Sequence, residues 1–307
     1  MQGTGISATA VARSFGEVHA VRSMDLRAAA GEVTALVGPN GAGKTTLLLI
    51  LATLLAPDAG TIRIAGYDPV TDPDDVRARM GWSPDVFGLY DGLTAREYLE
   101  FFGAAYRMTA DQSRTRAREL LALARLEEHA DHPVHVLSRG QKQRLGLMRA
   151  LVHDPEVLVL DEPASGLDPR SRVELRDLLR SFAAAGAAVL VSSHALADLE
   201  ELAHHVVFVD AGRTVGEHRL DALPDAVRPR PWRLRALDAD RLVAALRRAG
   251  ADHETAGSAG VDVALTGDEE AADLLARLVA DGVRVVSMAP VGGALEATFL
   301  ELTEETR

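Results

Sequence analysis

Along the first two-thirds of the chain, short unbroken apolar runs alternate with segments patterned as helices. Runs without polar alternation suit strands buried on both faces of a sheet, with the helices packed over them. Glu32-Val33-Thr34-Ala35-Leu36-Val37 predicts one such strand, and Lys44 to Leu55 a helix that packs back on the sheet. Val157-Leu158-Val159-Leu160, Ala188-Val189-Leu190-Val191 and His205-Val206-Val207-Phe208-Val209 predict further strands. This alternation is the mark of an α/β architecture.

Between the first two of those strands runs a long helical stretch, Thr94 to about Leu151. Thr94-Ala95-Arg96-Glu97 has the spacing of a capping box, so a helix is expected to start there. The stretch reads as a helical subdomain, about residues 90–150, inserted into the α/β core. Leu223-Pro224 and Arg228-Pro229-Arg230-Pro231 then interrupt the pattern as a linker would, which places one domain over 1–222 and another over 223–307. In the second, Trp232 to Leu237, Val261 to Leu265 and Val283 to Met288 read as strands, and Asp240 to Ala249 and Glu269 to Ala280 as helices. That is a small α+β domain, with a last helix expected near Leu295 to Leu302.

Composition narrows the class. At roughly 150 residues per domain, 307 residues are enough for about two domains. The chain has 33 Lys and Arg against 45 Asp and Glu, a net charge of −12. Gripping nucleic acid by its phosphates takes a positive face, so a nucleic-acid partner is not expected. With no cysteine, disulfides, thiolate metal sites and cysteine nucleophiles are excluded. Met1 to Ala10 lacks the basic and apolar regions of a signal peptide. The longest strongly apolar stretch, Leu47 to Ala56, is short of the about 20 residues that cross a bilayer. Work at a membrane would take spanning helices from another chain.

The candidate chemistry begins between the first predicted strand and helix. Gly38-Pro39-Asn40-Gly41-Ala42-Gly43-Lys44-Thr45 fits G-x-x-x-x-G-K-[ST], with Thr46 following. Glycines let backbone N–H groups close around phosphate oxygens, and the helix N-terminus adds a favourable dipole. Lys44 is placed to reach the β- and γ-phosphates and the Thr45 hydroxyl to ligate Mg²⁺. A plain Gly-rich turn is the competing reading; the strand–loop–helix order opposes it. Asp161 ends the second buried strand, where a carboxylate would hold Mg²⁺, and Glu162 beside it is a candidate general base for an attacking water. Capping or surface carboxylates are the alternative. Two acids straight after an apolar strand, ahead of Pro163, make it the poorer one.

Leu137-Ser138-Arg139-Gly140-Gln141-Lys142-Gln143-Arg144 resembles the signature sequence of the ABC ATPases, and it stands shortly before Asp161-Glu162 as in that family. Ser165-Gly166-Leu167-Asp168 resembles the family's D-loop, His194 its switch histidine, and Phe15 the aromatic residue that stacks on adenine. The resemblance covers about residues 7–220. It implies a P-loop NTPase core, and two copies arranged head to tail around two ATP molecules. Ser138 and Gly140 of one copy, with Gln141 in the same turn, would bind the γ-phosphate held by Lys44 of the other. His194 would contact that phosphate and help place the water that Glu162 polarises.

The sequence departs from the family pattern in two places. Asp85 stands after Trp82-Ser83-Pro84 where glutamine is usual; a carboxylate can ligate Mg²⁺ but donates no hydrogen bond, and a displaced, solvated Asp85 is the alternative. Arg139 replaces a usual glycine, and its side chain is expected to point away from ATP. His129, His132 and His135 have a spacing that invites a metal, but Pro133 interrupts any helix and a polar loop is the expectation. Trp82 and Trp232 are expected to pack rather than bind ligand, and Arg114 to Arg118 to be a solvated helix face.

The family resemblance thus implies the ATPase subunit of a transporter, bound to the cytoplasmic face of the membrane beside a separate membrane-spanning subunit. Leu295-Glu296-Ala297-Thr298-Phe299-Leu300-Glu301-Leu302-Thr303 is similar to the tail of the drug- and antibiotic-export subgroup. The alternatives are a soluble ABC ATPase acting on ribosomes or DNA, and a regulatory module that does not hydrolyse ATP. Intact Lys44, Asp161, Glu162 and His194 oppose the last.

Overall fold

The computed structural model describes residues 5–86, 88, 90, 92–193, 196–220, 230–251, 253–255 and 260–291, with 295, 298, 299 and 302. The chain divides into two compact units, and the first closes at Leu220. The linker expected from Leu223 to Pro231 lies outside the described residues as far as Pro229, whereas its last two residues open a strand, Arg230–Ala236; most of the last predicted helix also lies outside the described residues.

The first unit is built on β1 (Ile6–Phe15), β2 (Val18–Ala28), β3 (Val33–Val37), α1 (Lys44–Leu51), β4 (Ala59–Ile64), α2 (Pro73–Arg79) and β5 (Met80–Ser83). There follow α3 (Ala95–Ala105), α4 (Ala110–Leu123), α5 (Arg139–Ala150), β6 (Val157–Asp161), α6 (Pro169–Ala184), β7 (Ala188–Ser192), α7 (Leu196–Leu202), β8 (His205–Asp210) and β9 (Arg213–Arg219). Nine strands form one sheet in the order β4-β1-β2-β9-β8-β3-β7-β6-β5. Every residue of β3, β6 and β7 is buried, which is why these strands show no alternation in the sequence. They run parallel and adjacent, with Leu36 opposite Ser192 and Asp161 opposite the same serine. Their carboxyl ends therefore open side by side, where ligands bind in open α/β sheets.

The predicted α/β core with inserted helices is present, with two differences. Helix α1 stops at Leu51 rather than Leu55: Thr53 takes φ 62 and Leu54 N–H turns back to the Leu49 carbonyl at 2.9 Å. The apolar period runs on past this turn and conceals it. An antiparallel flank of β1, β2 and β4, and the strands β5 and β9, none of which the apolar pattern announces, also extend the sheet.

Three helices of the insertion start on matched capping boxes, at Thr94, Thr109 and Ser138. The segment carrying His129 and His132 folds onto the start of α3. Ala95 N–H donates to His132 O at 3.1 Å and Arg96 N–H to Ala130 O at 2.9 Å, so loop carbonyls satisfy a first turn that lacks intrahelical partners. No helix among the described residues is long and apolar enough to cross a membrane.

The second unit contains β10 (Arg230–Ala236), α8 (Ala239–Arg248), β11 (His253–Thr255), β12 (Val261–Leu265), α9 (Asp268–Ala280) and β13 (Val285–Pro290). Its antiparallel sheet has the order β11-β12-β10-β13, the split βαββαβ arrangement of ferredoxin-like domains. Trp232, Leu234, Leu246, Val263, Leu274 and Leu278 belong to a core of its own. The three-residue β11 was not foreseen, and the last strand lies two residues beyond the predicted Val283 to Met288, because Val283 packs into the core ahead of it.

Candidate functional site

Strand β3 delivers the chain into the Gly-rich loop, which ends on α1. Two of its glycines are required by the geometry. A Cβ on Gly38 would stand 2.2 Å from the Val209 carbonyl oxygen; Gly43 caps α1 at φ 97, where a Cβ would meet the Ala20 carbonyl oxygen at 2.3 Å. Pro39, Asn40, Gly41, Gly43, Lys44, Thr45 and Thr46 line a cleft of about 680 Å³. Ala42 is turned into the core instead, 2 % exposed. Lys44 Nζ donates to the carbonyls of Gly38 at 2.6 Å and Pro39 at 3.1 Å. Burial pushes its ammonium below the ordinary lysine value, while Glu162 and Asp161 oppose that shift. The first turn of α1 carries no acidic side chain, so its partial positive charge is left for an anion.

Asp161 and Glu162, at the end of β6, line the same cleft. The Asp161 carboxylate is held at both oxygens: Oδ2 accepts from Thr45 Oγ1 at 3.2 Å and Oδ1 accepts from Ser192 Oγ. Glu162 takes a left-handed φ of 49, with its N–H donating to Ser192 O at 3.1 Å and Ser192 Oγ at 3.2 Å. The site thus combines a buried ammonium, a helix N-terminus, a hydroxyl and two carboxylates. Thr45, Asp161 and Asp85 offer the hard oxygen donors that Mg²⁺ takes, and the ammonium and helix end suit phosphate.

Other residues singled out from the sequence fall in different places. Asp85 lines the cleft. Trp82, expected only to pack, does so against the core and also lines the cleft. Phe15 does not line the cleft; its ring lies under the Arg13 guanidinium, 5.0 Å from centroid to Cζ, at the tip of the hairpin whose Val18, His19 and Ala20 do line it. His194 lies outside the described residues. Ser138, Gly140 and Gln141 do not line the cleft of their own chain. Ser138 Oγ accepts from Gln141 N–H at 3.3 Å, and Gln141 Oε1 accepts from Ser138 N–H at 2.8 Å, which leaves the Ser138 hydroxyl proton to give. Arg139 lies across Gly166, with Nε 2.6 Å from where a Cβ would be.

His129 and His132, two of the three histidines at metal-inviting spacing, stand with their Nδ1 atoms 3.2 Å apart. Sequence reasoning missed Ser192; the only signal for it was a hydroxyl closing an otherwise apolar run.

The family profile for ABC transporters matches residues 21–165. The Nod factor export ATP-binding protein I of Paraburkholderia xenovorans (strain LB400) is 43% identical over 213 residues, 69% of this chain and 70% of that protein. The daunorubicin/doxorubicin resistance ATP-binding protein DrrA of Streptomyces peucetius is 32% identical over 303 residues, covering 97% of this chain and 92% of the other. A dimeric ATP-binding cassette solved in a post-hydrolysis state with ADP and Pi superposes at TM-score 0.64 with 29% identity, over 70% of this chain and 98% of that one. With the phosphate loop and both acids gathered in one cleft, these likenesses establish that the chain belongs to the ABC transporter family, as an ATP-binding subunit that hydrolyses ATP.

Proposed function

We propose that this ATPase drives export through a separate integral-membrane subunit, docked at the cytoplasmic face of the membrane and working as a pair of identical chains. The observation that carries the reading is the convergence of Lys44, Thr45, Asp161 and Glu162 in one cleft at the carboxyl ends of neighbouring strands. Kinship with proteins named for Nod factor export and for daunorubicin resistance supports the direction of transport.

In this reading the backbone from Gly38 to Thr46 and Lys44 hold the β- and γ-phosphates of ATP, and Phe15 stacks on the adenine. Thr45, Asp161 and Asp85 would hold Mg²⁺, which when bound neutralises phosphate charge. Glu162 takes a proton from the attacking water, and His194 helps orient that water. Ser138 and Gly140 of the second copy, with Gln141 bracing their turn, close on the γ-phosphate. Residues 1–222 are the ATP-binding domain, with the helical subdomain near 90–150, and 223–307 an accessory α+β domain.

Capture of a tagged chain from detergent-solubilised membranes tests the assignment. A co-purifying membrane-spanning protein is the expected result. Recovery with ribosomes or DNA and no membrane protein would overturn it in favour of a soluble ATPase.

A further inference from the structure

Ser192 closes β7, which lies between β3 and β6 in the sheet, and has no exposed surface. It lies opposite Leu36 on one side and Asp161 on the other, at the level where the phosphate loop and the acids leave their strands. The run it closes, Ala188-Val189-Leu190-Val191, is wholly apolar, and a buried hydroxyl is costly unless its bonds are made. Here they are made. A serine hydroxyl has one proton to give and lone pairs to receive. Its proton goes to Asp161 Oδ1, while Oγ accepts the Glu162 N–H at 3.2 Å. The Ser192 carbonyl accepts the same N–H at 3.1 Å.

Both acids are thereby referred to one residue. With Oδ1 engaged, the Asp161 carboxylate is held in the rotation that turns Oδ2 to the Thr45 hydroxyl at 3.2 Å. Glu162 stands at φ 49, a conformation that side-chain-bearing residues adopt only when their surroundings over-determine it. Two oxygens of Ser192 on its N–H supply that constraint.

We infer that Ser192 is a positioning residue for ATP hydrolysis: its side chain orients the Asp161 carboxylate for the metal and pins the backbone from which Glu162 projects. The inference rests on the roles given above to Asp161 and Glu162. Removing such an outer-shell partner characteristically lowers metal affinity or activity by roughly 10–100-fold, because the carboxylate regains rotational freedom. Uptake of nucleotide without metal draws on Lys44 and the loop backbone, whereas the Ser192 hydroxyl is bonded to Asp161 and Glu162.

The test titrates Mn²⁺, followed by its electron paramagnetic resonance signal, into the full chain loaded with a non-hydrolysable ATP analogue, for wild type, Ser192→Ala and Asp161→Asn. Nucleotide affinity without metal and steady-state kinetics are measured alongside. Ser192→Ala is expected to weaken Mn²⁺ binding and to lower kcat, each about tenfold or more, with metal-free nucleotide affinity within about twofold of wild type; affinity for the metal–ATP complex then falls in step with the metal affinity, so KM for Mg·ATP rises. Unchanged Mn²⁺ affinity in Ser192→Ala, set against a loss in Asp161→Asn, would overturn the inference and leave the Asp161 assignment standing. Unchanged affinity in both variants would remove Asp161 from the metal site and the inference with it. An equal fall in metal-free nucleotide affinity would also defeat it, as the mark of a generally loosened site.

Discussion

Glycine and glutamate positions in the cleft separate what the backbone needs from what the chemistry needs. Gly43 combines φ 97 with a carbonyl oxygen where its Cβ would go, whereas Gly41, at φ 84, faces open space. Gly43→Ala is expected to lose on the order of 1–3 kcal/mol of stability and to abolish ATP binding. Gly41→Ala carries the conformational strain alone and should lie nearer wild type in the same denaturant titration. Glu162 is a different case, because glutamine has the same shape and the same backbone demand. Glu162→Gln should therefore bind ATP normally, turn over about 10²–10⁴-fold more slowly and accumulate as a dimer in ATP. Phosphate release and light scattering read those outcomes, and turnover at the wild-type rate would remove Glu162 from the base role.

At the scale of elements, legibility followed burial. Strands β3, β6 and β7 are covered on both faces, so their apolar runs point directly to the sheet centre and to the loop and acids that leave it. Strand β1 was hidden because its register shifts at Ala8/Val11 and again beyond, and Ala10 takes φ 50, so no steady alternation survives. The signature turn was legible as sequence, and its capping box explains why Ser138 and Gln141 occur together. Ser192 was illegible because its meaning comes from cross-strand neighbours, not from its own surroundings in the chain.

Contacts between elements also set a pH dependence. His153, just after α5, stacks on Tyr106 at the end of α3 with ring centroids 3.7 Å apart, and its Nε2 lies 3.2 Å from Met80 O. Its buried Nδ1 has no hydrogen-bond partner among the described residues, and burial lowers its pKa from the ordinary 6.5 to about 4. Between those values the unfolded chain binds a proton that the folded chain refuses. Stability therefore falls as pH drops from about 6.5 towards 4, by up to on the order of 3 kcal/mol. His153→Phe keeps a stacked ring and removes the proton site. The unfolding free energy of wild type minus that of His153→Phe should fall across this interval as the pH is lowered, and parallel curves would contradict the assignment.

On the scale of the whole molecule, each unit has a core of its own: among the described residues the second unit's apolar cluster draws on the stretch from Trp232 to Met288. Leu246→Ala, at a position with no exposed surface, is expected to cost about 2–5 kcal/mol within that unit. Calorimetry should show one transition moved and the other unchanged; a common shift of both would mean that the units unfold together. The first unit has the opposite character, because its site joins distant parts of the chain. The Thr45–Asp161 hydrogen bond links α1 to β6 across 116 residues, and the Ser192–Asp161 bond adds β7, 31 residues further on. Such pairings form only after the intervening chain has condensed, so they come late in folding. During synthesis the phosphate loop emerges long before its acids, and no complete nucleotide site exists until Ser192 has left the ribosome. ATP, which favours the native state by mass action, then acts as a late folding ligand for the protein that consumes it.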